Sequence, residues 1–308
     1  MAPATGPRTS MGNMLPCGIY APVGSLWVLQ PFVYVLLRIV RYRHSVVFSN
    51  LTLSFPNMSN REIRRVANRS YWSLAEVIVG TITLAGASLE RKRQHLTWIN
   101  REEHLARTHG RDWIAMASHY GCWEYFPMWS LEDNDCHFIG VYHPLTSAVF
   151  EHLYRRLRRL SSNHYQVTMQ DTVRHYIKNR SDKYGIVLGL ISDQNPPLRA
   201  DTEWFDFLNR KTAFIDGGER LAMRFNIPVY FLHIERVRAG HYALRLDEIY
   251  DGAEDVAPTV ITQRYVTRLE SMIKAHPELW VWSHRRWKHS PEKQERLFGA
   301  MTKSGMQS

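Results

Sequence analysis

Trp113 to Trp129 reads WIAMASHYGCWEYFPMW, an apolar run that passes through a polar segment and returns to an aromatic run. Trp113 to Ala117 has the length and unbroken apolarity of a buried strand, and Gly121 to Leu131 reads as a helix. His119 falls at the turn between them. The carboxyl ends of strands are where α/β proteins keep their chemistry, so this turn is the first place to look for a site.

His119 and Glu124 stand five positions apart. On one continuous helix that spacing turns the chain by about 500° and leaves the side chains about 140° apart, unable to meet. With His119 on the loop and Glu124 in the first helical turn, they can meet. The carboxylate would then accept the Nδ1 proton of the imidazole, fix its tautomer and leave Nε2 as a general base at neutral pH. A loop histidine satisfied by its surroundings, beside a first-turn glutamate favoured by the helix dipole, accounts for the same two residues. A metal pair fits poorly, because the i, i+4 spacing of a zinc-binding helix and any nearby Cys/His cluster are missing.

Ser118 to Glu124, SHYGCWE, resembles the (N/S)H-(F/Y)-G-x-W-E signature of the HtrB/LpxL-type lipid A biosynthesis acyltransferases, within the lysophospholipid acyltransferase superfamily. Further matches follow in order: Asp193-Gln194-Asn195-Pro196, Trp204-Phe205 with Phe207-Leu208, Leu221-Ala222 ahead of Ile227-Pro228-Val229, and Trp282-Ser283-His284-Arg285-Arg286-Trp287. The resemblance implies a glycerolipid acyltransferase-like fold and a reaction. A fatty acyl chain moves from an acyl thioester, carried by acyl carrier protein or coenzyme A, to a hydroxyl of a lipid A precursor. His119 is then the base and Glu124 its partner, with no metal or cofactor. A superfamily enzyme acting on a glycerolipid, aminolipid or glycolipid is the alternative, and a non-catalytic peripheral lipid-binding protein is another.

The 308 residues suffice for one sizeable catalytic domain with additions, and 44% apolar with 12% aromatic content argues for a folded core. A formal net charge of +10 suits nucleic acid, an anionic membrane surface or acidic substrates. No RNP sequence, zinc finger or Gly-rich phosphate loop is present, which argues against nucleic acid. Cys17, Cys122 and Cys136 form neither a CxxC motif nor an even framework, so a disulfide scaffold is not expected. Cys122 reads as a packing residue.

Residues 1–18 are small and polar and read as a flexible tail. Ile19 to Leu37 then carries no charge, though Pro22, Gln30 and Pro31 weaken it as a span. Arg38, Arg41, Tyr42, Arg43 and His44 follow where a cleavage site would be needed, so a membrane-embedded or interfacial anchor is expected over a signal peptide. The positive-inside rule then puts the body on the cytoplasmic face of the inner membrane.

Asn57 to Ala85 reads as a helix, with Ser59 and Glu62 in the capping-box pattern. A short helix over Asn100 to Gly110 leads into the Trp113 strand. His137 to Tyr142 reads as the next strand, followed by a basic helix, Ala148 to Leu160. That helix carries Arg155, Arg156, Arg158 and Arg159, and the resemblance assigns an arginine here, Arg158 or Arg159, to the acceptor's phosphates. A guanidinium matches phosphate as a bidentate fork; a solvated basic face is the plainer account.

Ile186 to Ile191 is a further buried strand, and it places Asp193 and Gln194 at the same sheet edge as His119, as a pocket wall or site support. An Asx-capped turn is the alternative there. Asp201 to Gly217 reads as a loop whose Trp204, Phe205, Phe207 and Leu208 line an acyl groove or dip into the bilayer surface. Gly218 to Phe225 and Pro258 to Ala275 read as helices, and Val229 to Ile234 with Tyr242 to Leu246 as strands. In Trp280 to Lys288 three tryptophans among basic residues suit a bilayer interface, or packing on the sheet. The expected architecture is α/β, a mixed, mainly parallel sheet covered by helices with an N-terminal hydrophobic membrane element. It divides into a tail (1–18), an anchor with its basic flank (19–43), a helical addition (44–110), an acyltransferase domain (111–290) and a C-terminal tail (291–308).

Overall fold

The computed structural model describes residues 25–131, 136–142, 164–180 and 183–304. The tail 1–18, the start of the anchor and the basic helix with Arg158 and Arg159 lie outside the described residues.

A 3₁₀ turn (Ser25–Leu29) leads into α1 (Gln30–Ile39), followed by α2 (His44–Ser54) and α3 (Asn60–Gly86). The start of α3 is the capping box the sequence predicts. The Ser59 N–H donates to Glu62 Oε2 (2.7 Å) and the Glu62 N–H to Ser59 Oγ (3.3 Å), so donors that a helix start leaves unpaired are satisfied. Ile63, Ala67 and Tyr71 turn one face of α3 into the core. Among the described residues no helix is long and apolar enough to cross a membrane.

Next come α4 (Leu89–Arg93), β1 (Leu96–Trp98), α5 (Arg101–Thr108), β2 (Trp113–Ala117), β3 (Cys136–Tyr142), β4 (His164–Thr168), α6 (Thr172–Asn179) and β5 (Gly185–Ile191). They are followed by β6 (Trp204–Phe207), β7 (Arg210–Ala213), α7 (Gly217–Phe225), β8 (Val229–Arg238), β9 (His241–Tyr250), α8 (Val260–Ala275) and α9 (Pro291–Ser304). Among the described residues the main sheet runs β1-β9-β8-β2-β5-β3-β4, parallel throughout except for the β8–β9 hairpin. This is the expected α/β class, with β2 and β5 buried in its centre.

Three expectations are corrected. The segment after His119 is a 3₁₀ helix, Trp123–Leu131, because Pro127 lies inside it and supplies no N–H for an α-helical ladder. Trp204 to Leu208 is no exposed loop: β6 and β7 form an antiparallel hairpin, and Phe207 and Leu208 are fully buried. Phe207 packs edge-on against Phe214 and Trp280. The hairpin turn puts Leu208 and Asn209 at positive φ, a pair the usual Gly-containing signature does not announce. Their conformation is supported from outside, by the Leu208 N–H donating to Glu270 Oε1 and Asn209 Nδ2 to the Ser54 carbonyl. The C-terminal tail is also structured as α9, whose Gln294 amide donates to the carbonyls of Arg199, Ala200 and Thr202.

Candidate active site

β2 and β5 lie side by side with Ala117 opposite Ile191. Two residues further along each strand come His119 and Asp193, so the parallel register itself brings them together. His119 Nδ1 donates to Asp193 Oδ1 at 2.6 Å and its backbone N–H to Oδ2 at 2.9 Å. Trp280 Nε1 donates to the same Oδ2 at 2.8 Å. Asp193 is buried, which alone would push its pKa up; the His119 charge and the donors from His119 and Trp280 outweigh burial and hold it below the ordinary value. With Nδ1–H committed to Asp193, Nε2 carries the lone pair, and it faces the Gln194 amide at 2.9 Å.

The carboxylate that holds Nδ1 is therefore Asp193 and not Glu124, as the sequence spacing suggests. Glu124 is buried one residue into the 3₁₀ helix, where Trp123 Nε1 donates to its Oε1 (3.2 Å). The Trp123 ring stands edge-on to His119, centroids 5.2 Å apart. Gly121, at φ +56°, makes the tight turn between the two residues; a β-carbon there would sit 2.8 Å from the Tyr242 ring. Tyr242 is pinned in turn, its hydroxyl donating to Glu76 Oε1 (2.8 Å) while Arg236 donates to both oxygens of the buried Glu76. A helix, a hairpin and the turn after β2 thus share one ion pair whose carboxylate is buried.

Behind Asp193 sits the segment Trp280 to Trp287, its three tryptophans packed against the core. Trp280, Trp282 and Arg286 are buried. Arg286 donates to the Ala213 carbonyl (2.6 Å) and Asn195 Oδ1 (3.1 Å), and its guanidinium lies over the Phe214 ring. Burial pulls its pKa down to about 10, so it stays charged at neutral pH. Burial, followed by the Arg286 and His119 charges, holds His284 at about 4 and therefore neutral.

His119, Glu124 and Gln194 open onto a cavity of about 890 Å³. Phe126, Phe138, Gly140, Gly189 and Leu190 give it an apolar interior, and Arg43, Arg220, Arg224 and His284 stand around it. Arg220 is neutralised by Asp216 and Asp201. Among the described residues Arg43 and Arg224 make no ion pair. Of the predicted site residues, His119, Glu124, Asp193 and Gln194 come together. Trp280 and Arg286, the residues that hold Asp193 and its loop, have no such role in the sequence pattern; the spacing W-x-W-x-x-x-R after α8 is the available signal.

An imidazole oriented by a buried carboxylate faces a large and mostly apolar cavity at the carboxyl edge of a parallel sheet, the edge at which α/β folds hold their ligands. The chain belongs to the bacterial lipid A biosynthesis acyltransferase family, whose model matches residues 31–289. It is an acyltransferase, with an acyl donor and a lipid acceptor. Among curated proteins no similar sequence is found.

Proposed function

We propose that the protein transfers a fatty acyl chain from an acyl thioester, that of acyl carrier protein, to a hydroxyl of a lipid A precursor. The observation that carries this reading is the Asp193–His119 pair, which leaves Nε2 as a lone-pair acceptor at the cavity. The acceptor hydroxyl displaces the Gln194 amide from Nε2 and gives up its proton there as its oxygen attacks the thioester carbonyl. Collapse of the tetrahedral intermediate expels the thiolate, which takes the proton back from the imidazolium. Asp193 stabilises that imidazolium, and Glu124 stands on the same cavity as a second carboxyl group. The displaced Gln194 amide is then a donor for the developing oxyanion. General base catalysis of this kind supplies about 10² to 10⁴ in rate.

The acceptor's phosphates meet guanidinium groups. The resemblance assigns one arginine to them, Arg158 or Arg159, and Arg43 and Arg224 are the candidates on the described rim. Purified protein given acyl carrier protein thioester or acyl-coenzyme A, with a lipid A precursor, tests the whole reading by mass spectrometry of the lipid product. Lipid A lacking one acyl chain in a deletion strain agrees with it. An altered glycerolipid or aminolipid, with lipid A unchanged, overturns the acceptor.

The working surface is the cytoplasmic side of the inner membrane. Val28, Leu29, Phe32, Val35, Leu36, Ile39 and Val40 are exposed at helical spacing along the first turn and α1, beside Arg38 and Arg41. Such a stripe suits a helix lying in the interface, with arginines meeting anionic headgroups. Replacing Phe32 and Ile39 with serine should weaken vesicle binding at least tenfold; unchanged binding removes α1 as the contact.

A further inference from the structure

The row of residues that crosses the sheet beneath the cavity goes beyond the proposed activity, and it rests on that activity for the nature of the ligand. Gly140 on β3 is in register with Gly189 on β5 and with Gln166 on β4. In a parallel ladder, neighbours in register point to the same face. Gly189, Gly140 and Gln166 therefore form one line on the face that also carries Phe138, with Phe126 of the 3₁₀ helix above it. All five line the cavity.

The two glycines are not gaps, because their space is filled by neighbours. A β-carbon at position 140 would lie 2.7 Å from Gln166 Nε2, and one at position 189 would lie 2.6 Å from Phe138 Cζ and 2.9 Å from Phe126 Cε1. The amide and the two rings are folded down onto bare backbone. Gln166 Nε2 is buried and, among the described residues, makes no hydrogen bond, so contact with Gly140 and not a polar partner keeps the amide down. An unpaired buried donor is costly, and one placed on the wall of an apolar cavity also opposes any further methylene pressed against it.

We propose that Phe126, Phe138 and Gln166, seated in the recess left by Gly140 and Gly189, form the wall that sets the longest acyl chain this enzyme accepts. The two glycines act as positioning residues for that wall. The proposal predicts opposite shifts from substitutions in contact with each other. Gly140→Ala lifts the Gln166 amide into the cavity and shortens the preferred chain. Gln166→Ala removes the amide and lengthens it.

The test measures binding of a ladder of saturated straight-chain acyl-coenzyme A thioesters, in two-carbon steps, to the purified full chain and its variants, alongside kcat/KM for transfer. Each methylene that loses its place should lower affinity by about fourfold. The expected result is a shorter optimum in Gly140→Ala, a longer one in Gln166→Ala, and no shortening by Gly140→Ala once residue 166 is alanine. Gln166→Ala only removes atoms, so it reports even if Gly140→Ala fails to fold. An unchanged length profile in Gln166→Ala overturns the proposal, as does a Gly140→Ala shortening that persists in the double variant. Binding that shifts in the variants as predicted, from a wild-type protein that transfers nothing, would sink the proposed function and leave the wall intact. Transfer with no shift in any variant would do the reverse.

Discussion

The two ends of β2 each have a histidine beside them, and the molecule treats them in opposite ways. His104, on α5, packs edge-on against Trp113 and Tyr230 with ring centroids 4.5 Å away, and among the described residues neither of its nitrogens has a hydrogen-bond partner. Burial, and secondarily the Arg107 charge, drives its pKa down to about 3. His119, just past the other end, has both nitrogens hydrogen-bonded. One is an aromatic plate and the other is the acid–base group of the proposed mechanism. The difference is made by the chain around them: aromatic side chains gather at the amino end, while at the carboxyl end the strand gives way to loops that carry Asp193 and Gln194.

The strongest way to break this comparison is His119→Ala. Transfer should fall by about 10² to 10⁴ with the melting temperature and circular dichroism unchanged; full activity in the purified variant would remove the mechanism. Asp193→Asn should come close to that loss, because the amide either offers Nδ1 a donor or favours the wrong tautomer, and Glu124→Gln should cost less. The reverse order in steady-state rates would mean that Glu124 orients the imidazole during turnover. Trp280→Phe removes one of the donors to Asp193 while keeping an aromatic ring in place. A loss of a hydrogen bond to a charged group predicts about a tenfold fall in kcat/KM, with kcat following; an effect on stability alone would make Trp280 a packing residue only.

The smallest effect is expected at the aromatic end. The folded-state pKa of His104 lies below its ordinary 6.5, so the unfolded chain binds the proton more readily. Its neutral form is compatible with the fold above pH 6.5, and stability is lost as pH falls from there towards about 3. Asp193, depressed as a carboxylate, adds a loss of the same sign only below its ordinary 3.8. His104→Phe should therefore flatten the upper part of the acid transition and add about 1 kcal/mol at neutral pH, about 2 °C in melting temperature. Calorimetry at pH 7 and pH 5 reads both; equal acid sensitivity in the variant would show that another group governs that range.

Much of this arrangement is legible in the sequence. WIAMA and GIVLGLI announce buried strands by composition alone, and the polar residues just beyond each one mark the common edge on which His119, Asp193 and Gln194 sit. The choice of carboxylate is not legible, because it depends on the lateral register of β2 and β5, a long-range property that no local spacing encodes. The H-x4-E pattern draws attention to Glu124, yet Pro127 tightens the following helix and the Nδ1 position is taken by Asp193. The β6–β7 hairpin escapes for a local reason: Leu208 and Asn209 adopt positive φ without a glycine, held by Glu270 and by contact with α2. The tryptophans at 280 and 282 resemble an interfacial belt in composition, and only their burial separates the two roles.

The Asp193–His119 bond spans 74 positions of chain, and the Trp280–Asp193 bond spans 87 more. A growing polypeptide that has emerged as far as the first histidine motif holds an imidazole with no orienting partner. One that has emerged past β5 gains the carboxylate without its tryptophan donor. Contacts of such long range form late, since loop closure must come first. On the proposed mechanism, catalytic competence therefore waits until the segment after α8 closes over the sheet.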